Sequence, residues 1–154
     1  MSTLLFQITD LHIREPGRLA YGRLDTAPYL RQAIETVKAC PQQPSAVVLT
    51  GDLTDFGRPA EYAHLRELLA PLDCPIYMLP GNHDDAAGMR ASFPEHEYLG
   101  KEGHVQYSVP VGDIQLIALD TTVPMQSHGT LCDARLSWLD TELERVRHRP
   151  VVIA

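Results

Sequence analysis

The residues that could do chemistry stand in three short clusters: Asp10-Leu11-His12, Gly51-Asp52-Leu53-Thr54-Asp55 and Pro80-Gly81-Asn82-His83-Asp84-Asp85. Carboxylate, imidazole and amide groups in this mixture suit Mn²⁺, Fe²⁺ or Zn²⁺. Asp10 and His12 are two apart, so in an extended segment both side chains point the same way and can reach one ion. Asp52 has two oxygens and can bridge two ions. Asn82 offers a neutral oxygen to the second. His83 diverges from its neighbour Asn82 and is left to face a substrate, where it can hydrogen-bond a phosphoryl oxygen or protonate a leaving alkoxide. Asp84 or Asp85 is expected to fix the His83 tautomer. Two ions about 3.5–4 Å apart clamp the attacking and leaving oxygens of an in-line displacement at phosphorus, with a bridging hydroxide as the nucleophile.

Each cluster alone has a plainer explanation. Asp-x-His fits a capping Asp beside a surface His. Gly-Asp after a strand is often a turn, and Gly-Asn-His-Asp fits a turn because Gly and Asn tolerate left-handed backbone. The conjunction decides, because an apolar run precedes every cluster. Leu4 to Thr9 leads into the first, Ala46 to Thr50 into the second and Ile76 to Leu79 into the third. These read as three buried strands delivering ligands to one sheet edge, where open α/β sheets bind.

The segments between them read as helices. Asp25 or Thr26 can cap one that carries Leu30, Ala33, Ile34 and Val37 on one stripe and ends at Pro41 and Pro44. Pro59 starts another, with Tyr62, Leu65, Leu69 and Leu72 recurring at helical spacing. Strand-helix-strand-helix-strand implies a parallel sheet with right-handed crossovers. The pattern then changes. Asp84 to Ser92 is expected to make a short helix. His104 to Pro110 and Ile114 to Asp120 read as a hairpin around Val111-Gly112-Asp113. Leu136, Leu139, Leu143 and Val146 mark a further amphipathic helix, and Val151 to Ala154 reads as a buried strand.

The totals narrow the classes. The 154 residues suit one domain, read here as 1–154. Twenty acidic against 13 basic side chains give a net charge of −7, which argues against a standing nucleic-acid partner. Three cysteines, Cys40, Cys74 and Cys132, fit neither a disulfide framework nor a zinc knuckle, and read as small buried apolar residues. There is no visible signal peptide and no apolar run of about 18 residues, so a cytoplasmic protein with no membrane partner is expected. No Gly-x-Ser-x-Gly elbow or Gly-Lys-Ser/Thr phosphate loop offers a rival nucleophile or phosphate site.

In these motifs the sequence resembles the calcineurin-like metallophosphoesterases, whose signature is Asp-x-His, Gly-Asp and Gly-Asn-His-Asp/Glu in that order. Ile8 to His12, Tyr21-Gly22, Gly57-Arg58-Pro59-Ala60-Glu61-Tyr62 and Leu79 to Asp85 look like the class III cyclic-nucleotide phosphodiesterase and glycerophosphodiesterase group. The resemblance implies an α/β fold, a four-layer αββα sandwich with two metals at the carboxyl ends of its strands. It places Asp10 and His12 on the first metal, Asp52 between the two, Asn82 on the second and His83 on the phosphoryl group. The implied activity is metal-dependent hydrolysis of small diesters, 3′,5′-cyclic AMP or glycerophosphodiesters.

The family also has a histidine just after a strand like Val151–Ala154 and a later Gly-His-x-His. This chain is therefore expected to be an N-terminal portion, inactive and poorly soluble alone. None of His64, His96, His104, His128 or His148 stands in such a context, and all five read as surface or core histidines. His128 has the best case for lining the cleft, because its loop follows a strand. Two other readings stay open: a phosphomonoesterase or nuclease on the same fold, and a truncated, non-catalytic protein that binds metal or a partner. Homo-oligomers occur in the subgroup, but no stripe here identifies an interface.

Overall fold

The computed structural model describes residues 2–154. Three parallel strands, β1 (Leu5–Ile8), β2 (Ala46–Thr50) and β3 (Ile76–Leu79), form one sheet in the order β1-β2-β3. Helix α1 (Ala27–Lys38) joins the first pair and α2 (Pro59–Leu69) the second. Because the strand order rises in one direction, right-handed crossovers put both helices on one face of the sheet. Helix α3 (Ala86–Ser92) packs against α2. β4 (Tyr107–Val111) and β5 (Ile114–Ala118) form an antiparallel hairpin, and β6 (Val151–Ile153) adds to β5 in parallel after α4 (Asp133–Arg145).

The four layers follow from the period-2 alternation of β5. Leu116 and Ala118 join the large core, which also holds β1–β3 and the apolar stripes of α1 and α2. Ile117, between them, faces the other way and packs with Trp138, Leu139 and Leu143 of α4. The expected αββα sandwich is what these residues build.

Among the described residues the outer edge of β3 has no strand partner, and tyrosines take its place. The Met78 N–H donates to Tyr98 Oη at 3.1 Å, and the Tyr98 hydroxyl donates to the Ile76 carbonyl at 2.9 Å. The Tyr107 hydroxyl, from the second sheet, donates to the Met78 carbonyl at 3.0 Å. Two phenols thus satisfy backbone groups that an unprotected sheet edge would leave open.

Several expectations need correction. β4 begins at Tyr107, not His104, because the Val105 N–H goes to the Asp120 carboxylate at 2.9 Å instead of into the ladder. β6 is not buried. It pairs with β5 alone, and Val152 and Ile153 are 38% and 51% exposed. Leu136 leaves the predicted stripe of α4 and lies 46% exposed, while Trp138 takes its place in the small core. Cys132 is exposed at the N-terminal cap of α4, and Cys40 and Cys74 are only partly buried. No helix of the described residues is long and apolar enough to cross a membrane.

Tyr98→Phe would leave a buried amide and a carbonyl of β3 without partners. The expected loss is about 1–3 kcal/mol in urea denaturation. A loss under about 0.5 kcal/mol would show that the edge does not depend on the phenol.

Candidate metal centre

The loops after β1 and β2 pair backbone to backbone past the ends of their strands, and the loop after β3 joins the second through the Asp84 and Asp52 carboxylates. The Asp10 N–H donates to the Gly51 carbonyl at 3.2 Å, His12 N–H to the Asp52 carbonyl at 2.8 Å and Ile13 N–H to the Leu53 carbonyl at 3.1 Å. Asp10, His12 and Asp52 all sit at positive φ, 56°, 43° and 48°. Left-handed backbone at three non-glycine residues is strained and clusters at functional sites. The extended segment expected for Asp10-Leu11-His12 is therefore not what brings its two side chains together. A left-handed kink at each residue does so.

One oxygen or nitrogen from each of Asp10, His12 and Asp52 lies within 4.8 Å of the others. His12 Nε2 stands 3.8 Å from Asp52 Oδ2. A second group, His12, Asp55 and His83, meets the same spacing. The two groups differ in charge. Asp55 is 2% exposed, and Arg14 Nη1 ion-pairs with its Oδ2 at 3.2 Å, so its charge is already balanced. Asp10 and Asp52 meet no Lys or Arg within salt-bridge distance among the described residues. The donor set with unbalanced charge is Asp10, His12 and Asp52, and it fits a divalent cation. Asn82 joins Asp10 and Asp52 in lining one cavity of about 220 Å³.

Two glycines let the Asp52 and Asn82 loops approach. A Cβ on Gly51, at φ 96°, would stand 3.0 Å from Gly81 Cα. A Cβ on Gly81 would run into the Asp52 carboxylate and its amide. The Gly-Asp and Gly-Asn pairs are thus one packing requirement seen from two sides.

Asp84 does not orient His83, as the sequence suggests, and neither does Asp85. Asp84 accepts from the Leu53 N–H at 2.9 Å, from the Thr54 N–H and Oγ1–H at 3.0 Å each, and from the Gly81 N–H at 2.9 Å. Tyr62 Oη is 3.2 Å from the same carboxylate. Burial nonetheless holds the Asp84 carboxyl above its ordinary pKa, against the pull of these donors. Asp85 caps α3, accepting the Gly88 N–H at 2.7 Å.

His83 is held by other groups. Its N–H donates to Asp52 Oδ1 at 3.2 Å, and its Nδ1 is 2.9 Å from the Asp55 carbonyl. A carbonyl only accepts, so Nδ1 carries hydrogen and Nε2 is the free nitrogen. His12 and His83 meet edge to face at 4.7 Å, and Tyr21 stands over both, its hydroxyl 3.1 Å from His12 Nε2. Partial desolvation of its hydroxyl, and then Asp55, Asp52 and Asp10, push the Tyr21 phenol above its ordinary pKa, although the residue is 61% exposed.

Asp55 and Glu61 stand within the sequence motifs, where residue type alone suggests no role for them. His12 Nδ1 and His83 Nδ1 lie 3.7 and 3.8 Å from Asp55 Oδ1, behind the face of His12 that meets Asp52. Arg14 ties Asp55 to Glu61, its Nε 2.8 Å from Oε1, too far off line for a hydrogen bond and so an attraction of charges. Glu61, fully buried, accepts the Phe56 and Arg58 N–H groups at 2.9 and 3.1 Å. The spacing of Asp52 and Asp55, and a Glu three residues past Arg58, were the available signals. Nothing local in the sequence points to Arg14.

Residues 4–150 match the family model described as calcineurin-like phosphoesterase, and the chain belongs to that family. It is 32% identical over 150 residues to a probable glycerophosphodiester phosphodiesterase GpdQ of Arcobacter nitrofigilis, covering 97% of this chain and 55% of the relative. It is 33% identical over 144 residues to a cAMP/cGMP dual specificity phosphodiesterase of Mycobacterium tuberculosis, covering 91% of this chain and 45% of that one. A 3′,5′-cyclic adenosine monophosphate phosphodiesterase CpdA of Pseudomonas aeruginosa is 29% identical over 154 residues, with 99% and 54% covered. The chain spans about half the length of these curated relatives. Family and donor set together imply divalent metal ions.

Gly81→Ala should displace the Asp52 carboxylate while leaving the core intact. At least a tenfold loss of Mn²⁺ affinity by calorimetry is expected, with an unchanged far-ultraviolet circular dichroism spectrum. Unchanged affinity would contradict the close packing of the two loops.

Proposed function

We propose that the protein is a metal-dependent phosphodiesterase acting on small diesters, 3′,5′-cyclic nucleotides or glycerophosphodiesters. One observation carries the reading: Asp10, Asp52 and Asn82, from three different strand ends, line one cavity, with His12 in reach of both carboxylates. The names of the relatives support the diester over other phosphoesters.

In this reading Asp10, His12 and Asp52 hold one ion, and Asp52 and Asn82 hold a second, chosen from Mn, Fe and Zn. When bound, such ions neutralise phosphoryl charge and acidify a water toward neutral pH. The remaining work falls to the chain. Asp52 is fixed from the side by the His83 N–H. Asp55 stands behind His12, 3.7 Å from its Nδ1, and ion-pairs with Arg14 at 3.2 Å. His83 presents Nε2 to the phosphoryl group, because its Nδ1 is committed to the Asp55 carbonyl. In the imidazolium form Nε2 donates to a phosphoryl oxygen or passes a proton to the leaving alkoxide. Asp52 and His83 are the proposed catalytic residues. A net charge of −7 weighs against a polyanionic nucleic acid and fits a small substrate.

Asp52→Asn should bring Mn²⁺-dependent hydrolysis of a bis-aryl phosphate below detection while the thermal midpoint stays within a few degrees. Retained turnover would remove Asp52 from its bridging role. Wild-type protein should also favour a diester over a monoester with the same leaving group. A preference for the monoester would move the reading to a phosphomonoesterase.

Asp55→Asn keeps shape but removes the charge beside His12 and Arg14. A loss of about 10–100-fold in Mn²⁺ affinity is expected, read by competition with a chromogenic chelator. An effect under about twofold would mean that Asp55 serves Arg14 alone.

A further inference from the structure

The cavity at the strand ends has a second wall. Asp10, Asp52 and Asn82 line one side, and Ser127, His128 and Gly129, from the loop between β5 and α4, line the other. Its volume of about 220 Å³ is below the roughly 300–1,000 Å³ of sites that enclose a whole drug-sized ligand. It suits a reacting phosphoryl group and the first atoms of each ester arm.

The second wall has its own support. The Thr130 N–H donates to the Thr121 carbonyl at 2.8 Å and closes the loop on itself. At its start, Asp120 Oδ1 accepts the Thr122 N–H at 2.9 Å and the Thr122 hydroxyl at 2.6 Å. From α4, Arg135 Nη1 donates to the Asp120 carbonyl at 2.7 Å. Asp120 and Arg135 are both buried, 3% and 5% exposed. A Cβ on Gly129 would stand 2.7 Å from Thr121 Oγ1, so the residue after His128 lies tight against the loop base. None of these bonds involves Asp10, His12, Asp52 or Asn82.

The chemistry of the two walls differs. The strand wall carries carboxylates, which accept hydrogen bonds and repel a phosphoryl oxygen that no cation screens. The loop wall carries hydroxyls and an imidazole. An imidazole keeps at least one N–H in every protonation state, so His128 offers a donor in any of them. His83 stands behind the strand wall, its N–H on Asp52 Oδ1 and its Nδ1 committed to the Asp55 carbonyl, and so reaches a phosphoryl group from the side opposite the loop wall.

We propose that His128 is a substrate-contacting residue, donating a hydrogen bond to the phosphoryl group of an ester held against Asp52 and Asn82. The proposal rests on the phosphodiesterase reading for its substrate class. His128 is exposed, as expected of a surface histidine, and it lines the cavity, as the position of its loop after a strand suggested.

The test compares wild type, His128→Ala and His128→Gln in the Mn²⁺-loaded protein, with Met125→Ala as a control. Met125 is on the same loop, 98% exposed and outside the cavity lining. Four quantities are read: bound Mn²⁺ by elemental analysis, inorganic phosphate affinity by calorimetry, and kcat and KM for bis(4-nitrophenyl) phosphate. In His128→Ala, Mn²⁺ content should be unchanged, and phosphate affinity should fall about five- to tenfold, as loss of one hydrogen bond to an anion implies. KM for the diester should rise. His128→Gln, which keeps an N–H donor, should recover part of both, and Met125→Ala should match wild type.

Phosphate affinity within twofold of wild type in His128→Ala would overturn the proposal. So would no measurable phosphate binding by wild type, or loss of Mn²⁺ in His128→Ala, which would make His128 a metal ligand. Phosphate binding needs no turnover. A protein that binds phosphate through His128 but cleaves no diester would keep this assignment and sink the phosphodiesterase reading alone.

Discussion

The carboxylate of Asp84 is the tie on which the rest of the site depends. It takes two amides and a hydroxyl from the loop after β2, one amide from its own loop, and lies against the phenol of Tyr62 from α2. Those loops carry Asp52 and Asn82. Two glycine-packed turns, one of them at positive φ, have no reason to stay at van der Waals contact unless something beneath holds them. A buried, four-fold hydrogen-bonded carboxylate does this at short range, where each bond to a charged acceptor is worth about 1.5–3 kcal/mol. The same bonds satisfy donors that the end of a parallel sheet leaves unpaired.

Around that tie, charged groups stand one behind another. Unbalanced carboxylates, Asp10 and Asp52, face the cavity. Behind His12 stands Asp55, behind Asp55 stands Arg14, and Arg14 is held in turn by Glu61 and Glu15. Burial works against the Arg14 charge, but its three acidic neighbours keep the guanidinium firmly protonated. This separates a carboxylate held by an arginine from one that is free to meet a cation, although both lie within reach of His12. The distinction comes from neighbours, not from residue type.

Much of this was legible in the sequence, and the limits have physical causes. Strands β2 and β3 stood out with their bounds because apolar runs ending abruptly in Gly or Pro leave little choice. The start of α2 was plain because Pro59 is at home in a first helical turn and nowhere deeper. The convergence of Asp10, His12, Asp52 and Asn82 followed from three strands sharing one edge. The left-handed backbone that achieves it did not, because Asp and His carry no local mark of positive φ. The work of Asp84 was misread because a carboxylate beside a histidine suggests an orienting pair. Two of its three amide partners, Leu53 and Thr54, lie some 30 residues away in sequence, which no local pattern reveals. The exposure of β6 and Leu136 was likewise out of reach, since an apolar run says what prefers burial and not which neighbour supplies it. His128 sits in a loop of ordinary turn residues, and only the folding of the second sheet against the first places it opposite Asp52.

The account stands or falls on which of two overlapping donor groups takes the cation. The direct measurement is an anomalous difference map from a crystal of the protein grown with Mn²⁺. The account expects a peak bounded by Asp10, His12 and Asp52, with any second peak between Asp52 and Asn82. A peak among His12, Asp55 and His83, or no peak at the strand ends at a Mn²⁺ concentration that supports hydrolysis, would contradict it.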